Sequence, residues 1–238
     1  MVLAENPNVQ GFMHQVSDIF ESNSLVANLI AQIESRGIEL SFSVADLVDP
    51  AGGDKQAQTN PNYTGNSIEI TFDLTNMDAN GWSTLYNANG TATPTAHATA
   101  EQSILNTIVH ELNHALISSY YMEARTNAIH SAQNQGLNSL PPNAIYDELV
   151  FAYGQDVANI FFTVDASGQA IANNANQVHV NHHSYMYQAQ SDYNNYLYSA
   201  LQEFANDLAD YEQYLEELEN WAQQEGEDYG GPGAEEGS

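Results

Sequence analysis

The stretch Thr107-Ile108-Val109-His110-Glu111-Leu112-Asn113-His114-Ala115-Leu116-Ile117 contains the pattern H-E-x-x-H, and the reading of the whole chain turns on it. On a helix, His110 and His114 stand four residues apart and project from one face. Two imidazoles so placed can hold one Zn2+ while Glu111 reaches water activated beside the metal. The surrounding residues support a helix. Ile104, Leu105, Ile108, Val109, Leu112 and Leu116 follow i, i+3, i+4 spacing and fill an apolar arc of about 140° at 100° per residue. Both histidines fall outside that arc, so the spacing predicts a helix with one face in a core and two imidazoles turned to a cleft. Thr99 with Gln102 reads as a capping box, and Thr93-Pro94 offers an earlier start with proline at the first helical position. Past His114 the apolar pattern continues for about two turns through Tyr120, Tyr121 and Met122.

Working outward, Ile68, Ile70, Phe72 and Leu74 alternate with Glu69, Thr71 and Asp73 in the clearest strand signal of the chain. Leu40, Phe42 and Val44 give a second one. A strand followed by a turn-rich connection and an H-E-x-x-H helix is the layout in which zinc peptidases present an edge strand above the metal, where an extended substrate adds to the sheet. A core strand with one wet face has the same pattern. The stretch between the two strands, about residues 49–66, reads as polar loop. Helical spacing also marks Val9–Ile33, with a break at Ser22-Asn23-Ser24 and an end near Arg36-Gly37. It marks Tyr146–Phe162, continuous across Gly154, and a long segment from Ser184 to about Trp221. Residues 133–142 and 163–177 read as loops. The expected architecture is α+β: a mainly helical, zincin-like single domain over residues 1–222, with a small β-sheet packed beside the H-E-x-x-H helix. The Gly- and Glu-rich segment 223–238 reads as a disordered acidic tail.

Composition narrows the partners. The 238 residues include 3 Lys+Arg against 31 Asp+Glu, a formal charge of -28. Such a surface repels phosphate backbones and anionic lipid, which disfavours direct nucleic-acid or membrane binding. With no cysteine in the chain, any zinc must be held by His and carboxylate. The first 35 residues carry no Lys or Arg and no long apolar run, so the expectation is a cytoplasmic protein without an ordinary signal peptide.

Zinc held by two histidines needs a third protein ligand, with a fourth position left for water. The metzincin pattern would put Gly at 117 and His at 120; the chain has Ile117 and Tyr120 there, so that pattern fails. Glu123 follows His114 too closely for a two-helix arrangement. Glu148, His130, His179, His182 and His183 remain, with His179-Val180-Asn181-His182-His183 the densest histidine cluster and placed just before a predicted helix. Asp147 and Asp192 are candidates for orienting a ligand imidazole, and Tyr120, Tyr121, Tyr185 and Tyr187 for donating to an oxyanion.

The combination of T-I-V-H-E-L-N-H-A-L with His183-Ser184-Tyr185-Met186 and Ala200-Leu201-Gln202-Glu203-Phe204 resembles the SprT-like zinc metallopeptidases. It is most similar to phage-type and bacterial relatives in which a distant histidine supplies the third ligand. The resemblance spans roughly Ile68 to Phe204 and implies His110 and His114 as zinc ligands, Glu111 as catalytic base, and a downstream histidine as third ligand. Of the downstream candidates His183 is the first choice, then His182, ahead of His179, Glu148 and His130. The activity implied is a zinc metalloendopeptidase, a hydrolase acting on a protein or peptide substrate. Relatives acting on DNA-crosslinked proteins are expected to carry basic surface, which this acidic chain lacks. The alternative is a non-catalytic metal-binding or phage-associated structural protein that keeps the zincin fold, and a third option is hydrolysis of a non-peptide amide.

Overall fold

In a computed structural model of the chain, the structure describes residues 20–45, 47, 56–73, 94–186, 202–203 and 206, and for 94–103 the backbone course alone. The chain divides into a compact unit, Met1–Leu201, and a second, Gln202–Ser238, of which the described residues are helical. Leu74, Trp82, the predicted helix beyond Met186 apart from residues 202–203 and 206, with its Tyr187 and Asp192, and the acidic tail lie outside the described residues.

The first unit is α+β. Residues 20–22 are helical, and helix α1 (Ser24–Glu34) starts where Asn23 accepts a hydrogen bond from the Val26 amide at 3.1 Å. It buries Val26, Leu29 and Ile33 and gives way to Gly37 at φ +73°. Strand β1 (Glu39–Val44) then pairs in parallel with β3 (Ser67–Phe72), Leu40 opposite Ile68 and Phe42 opposite Ile70. On the other side β3 pairs antiparallel with β2 (Ala57–Asn62). The order is therefore β1-β3-β2, with β3 in the middle and its Ile68, Ile70 and Phe72 fully buried.

Two expectations change here. Residues 57–62, read as loop, form an edge strand: Ala-Gln-Thr-Asn-Pro-Asn has no apolar alternation, and main-chain pairing with β3 holds it in place. Pro61, which cannot donate to a ladder, is compatible with that edge position. The strand at 67–72, which sequence left as either edge or core, is the core strand. A four-residue turn joins β2 to β3 and is organised by Asn62, whose Oδ1 accepts from the Thr64 hydroxyl and the Gly65 amide, each at 3.0 Å. A side chain at Gly65 would meet Asn62 Nδ2 at 2.6 Å.

Helix α2 (Pro94–Asn134) runs 41 residues, about 60 Å at 1.5 Å per residue. It begins at Pro94, the earlier of the two starts, and passes well beyond the predicted end. Ile104, Leu105, Ile108, Val109 and Leu112 are buried as their spacing requires, yet the opposite face is covered too: Glu111, Asn113, His114, Ser118 and Ser119 are all buried. Asn113 Nδ2 donates to Val109 O at 2.7 Å and the Ser119 hydroxyl to Leu116 O at 2.6 Å, so these polar groups are satisfied by the helix's own carbonyls. Arg36 fastens the end of α1 to α2 through Glu123 (3.2 Å) and the face of the Tyr120 ring (4.8 Å).

The predicted continuous helix over 146–162 is two helices, α3 (Ala144–Tyr153) and α4 (Gln155–Phe161). Gly154, at φ +88°, ends the first in a conformation that side-chain-bearing residues rarely adopt. The segment read as loop after Phe162 folds into a small hairpin, β4 (Phe162–Val164) and β5 (Ala170–Ala172), whose turn is tied by Asp165 accepting from the Ser167 hydroxyl at 2.6 Å. Helix α5 (Ala175–Met186) follows. Among the described residues no helix is long and apolar enough to cross a membrane.

Candidate metal centre

Two helices bring five imidazoles to one place. From α2 come His110 and His114, from α5 His179, His182 and His183. The apolar stripe of α2 fixes the first pair by packing against the sheet and α1. Helix α5 is held differently. The last carbonyls of α4 lack helical partners, and Asn173 and Asn181 supply them: each side-chain amide donates to Ile160 O, at 3.0 and 3.1 Å. These bonds set α5 against α4 and so aim its histidines at α2. The cluster lies within that helix, not ahead of one as the sequence suggested.

His110 Nε2 and His114 Nε2 converge to 3.2 Å. Nitrogen ligands about 2.0–2.1 Å from a tetrahedral zinc stand about 3.3 Å apart, so this pair already has the spacing of two coordination sites. His183 completes a group whose ligand atoms lie within 4.8 Å of one another. Its Nδ1 is 3.1 Å from the His179 carbonyl, and a hydrogen bond to that acceptor puts the proton on Nδ1 and leaves Nε2 as donor to a cation. The three residues could hold a metal ion, with the His110–His114 pair at the spacing of two coordination sites and His183 beside it.

Burial lowers the pKa of His110 to about 4, and the charges of His183 and His179 push the same way. Burial also takes His182 to about 3 and His114 to about 2, again with neighbouring imidazoles adding to the effect. All three are neutral near pH 7, the state in which an imidazole ligates without first losing a proton.

Glu111 sits beside the pair on α2, 7% exposed. The Thr59 hydroxyl, on edge strand β2, donates to its Oε2 at 2.6 Å and lies 3.0 Å from its main-chain carbonyl. A cleft of about 730 Å³ opens over these groups, running between β2 and α5, with Thr59, Tyr63, Ser118, Asn173 and Val178 in its walls. Among the described residues that line it, Glu111 is the one carboxylate.

The other sequence candidates lie elsewhere. His130 is exposed on α2, sixteen residues past His114 and so about 24 Å along the helix. Glu148 and the exposed Asp147 are on α3, and neither lines the cleft. Glu123 is engaged by Arg36 and by the Tyr153 hydroxyl. Tyr120 stacks on Tyr153 at 4.2 Å, Tyr121 packs on Phe161 at 4.9 Å, and Tyr185 lines a separate pocket with Asp156 and Asn181. Sequence reasoning missed Thr59 and Tyr63, which sit in and beside a strand whose composition gives no strand signal. Compared with protein-family models, curated proteins and solved structures, the chain matches none of them.

Proposed function

We propose that the protein is a zinc-dependent metallopeptidase with a zincin-like arrangement, in which His110, His114 and His183 hold the metal and Glu111 is the general base. The observation that carries this reading is the convergence of the two α2 imidazoles beside a buried glutamate, in a cleft bounded by an edge strand. The likeness of T-I-V-H-E-L-N-H-A-L and the downstream His183-Ser184-Tyr185-Met186 to SprT-like peptidases points the same way.

Zinc, when bound, lowers the pKa of water and offsets negative charge on a polarised carbonyl oxygen. The chain's residues do the rest. Three neutral imidazoles add no negative charge to the site, so none of the cation's charge is cancelled by its ligands. Glu111 takes the proton from the water that attacks the peptide carbonyl carbon and returns it to the leaving nitrogen. Thr59 holds one oxygen of that carboxylate in place, a charge-assisted bond from the strand to the base. The substrate lies extended along β2, adding its main-chain hydrogen bonds to that edge, which gives affinity with little dependence on side-chain sequence. Hydrolysis of a protein or peptide is therefore expected, with a preference for uncharged residues at the cleft walls.

Cleavage of an unstructured protein such as casein by the zinc-loaded wild type and Glu111→Gln tests the reading. The expected result is activity in the first and a loss of at least about a hundredfold in the second, the lower end of the range for general-base catalysis. Equal rates would overturn it.

A further inference from the structure

We propose that His182 is a positioning residue for the metal centre, a third-helix-turn imidazole that accepts a hydrogen bond from His114 Nδ1 and thereby holds His114 with Nε2 toward the cation. This rests on the metal-site reading above. His114 Nδ1 and His182 Nδ1 are 3.1 Å apart, and the two rings lie nearly parallel, 17° between planes. His110 meets His114 on the opposite edge of the ring, at Nε2. His182 therefore stands behind His114 and cannot share with His110 a cation bound at His114 Nε2, which sets it apart from His183.

The protons follow from the contact. Two ring nitrogens at 3.1 Å share one hydrogen. A ligand using the Nε2 lone pair of His114 must carry its hydrogen on Nδ1, so His182 Nδ1 is the acceptor and the hydrogen of neutral His182 is on Nε2. That Nε2 is buried with no hydrogen-bond partner among the described residues, and the ring stands perpendicular to Phe161 at 5.5 Å. His182 as a whole is 4% exposed. Leucine would fill such a site without leaving a nitrogen unsatisfied, so packing alone does not account for histidine here. The acceptor at Nδ1 does. Metal-bound histidines usually donate their second N–H to a carboxylate, carbonyl or water; here an imidazole fills that place, on the helix that also presents His183. One short segment of α5 thus supplies a ligand and the support of another ligand.

The test is zinc affinity, read by competition with a chromophoric chelator, together with the visible spectrum of the Co2+-substituted protein. The proteins are the wild type, His182→Leu, His182→Asn and His182→Gln. Asparagine places its Oδ1 near the Nδ1 position and can accept; glutamine places its amide near Nε2 and leaves the Nδ1 position empty. Expected are a loss of about 10- to 100-fold in affinity for His182→Leu and His182→Gln, recovery of most of it in His182→Asn, and one Co2+ spectrum for all four because the ligands are unchanged. Equal affinity in the Asn and Gln variants would overturn the proposal even if His182→Leu does not fold. So would wild-type affinity in His182→Leu. A changed Co2+ spectrum would overturn it by making His182 a ligand. A wild type that takes up no metal would remove the metal site itself, whereas a wild type that binds alongside equally tight variants removes only the role of His182.

Discussion

Helices α2 and α5 deliver imidazoles to the same point by opposite means. From Glu111 to Ser119 every residue of α2 is buried, and Ile104, Leu105, Ile108, Val109 and Leu112 set its place through packing. In α5 only His182 and Met186 are buried, and Asn173 and Asn181 dock the helix through amide-to-carbonyl bonds to the end of α4. Packing against a core is strong and unspecific in direction; a few hydrogen bonds are weaker and directional. The His110–His114 pair is therefore built into the part of the molecule that holds the fold, and His183 is carried by a helix docked through fewer buried side chains.

That contrast can be broken at four places. Leu112→Ala removes a fully buried side chain from α2, and chemical denaturation should show a loss of about 2–5 kcal/mol; a loss below about 1 kcal/mol would mean that packing does not place this helix. Acid comes next. The folded pKa values of His110, His114 and His182 lie below the ordinary 6.5, so between 6.5 and about 4 the unfolded chain binds more protons than the native one. Stability of the metal-free protein is then full above pH 6.5 and falls as pH drops, by at most about 1.4 kcal/mol per pH unit for each histidine that stays neutral. Urea midpoints from pH 7.5 to 4.5 should show this fall, and a shallower one in His114→Leu; parallel curves would contradict it.

The two smaller effects separate chemistry from docking. Thr59→Val removes the hydroxyl that holds Glu111 and should lower kcat/KM about tenfold with zinc affinity unchanged, since charged hydrogen bonds contribute about 1.5–3 kcal/mol. Unchanged kcat/KM would mean that Thr59 does not position the base. Asn181→Ala deletes the side-chain tie from α5 to the end of α4 and should cost only about 1 kcal/mol of stability. Its clearer mark should be weaker zinc binding, because the helix bearing His183 is less firmly held. Wild-type affinity in this variant would mean that the apolar contacts of α5 suffice.

The same contrast governs what could be read from sequence. The α2 motif, its apolar arc, the β1 and β3 alternation, the α1 start at Asn23 and the Gly37 end were legible because burial writes a period into side-chain identity. Strand β2 was not legible. Its place depends on main-chain pairing with β3, and Thr59 and Pro61 look like loop residues until the neighbouring strand is present. Gly154 was visible, but the apolar run across it masked the change of direction that its positive φ allows. The histidine cluster was visible as a cluster, and the choice among its members was not settled by chain order. Helical spacing held part of the answer: His179 and His183, four apart, share a face, while His182 points elsewhere, toward the far side of His114. Which of them meets His110 depends on how α5 docks, and that is set by Asn173 and Asn181 acting on carbonyls of a different helix.

Zinc stoichiometry tests the central claim most directly. After reconstitution and exhaustive dialysis, metal analysis should find about one equivalent in the wild type, and less than about a tenth of an equivalent in His110→Ala/His114→Ala, as expected for a site losing two of its three proposed protein ligands. A wild type that retains less than a tenth of an equivalent, or a double variant that retains a full one, would contradict it.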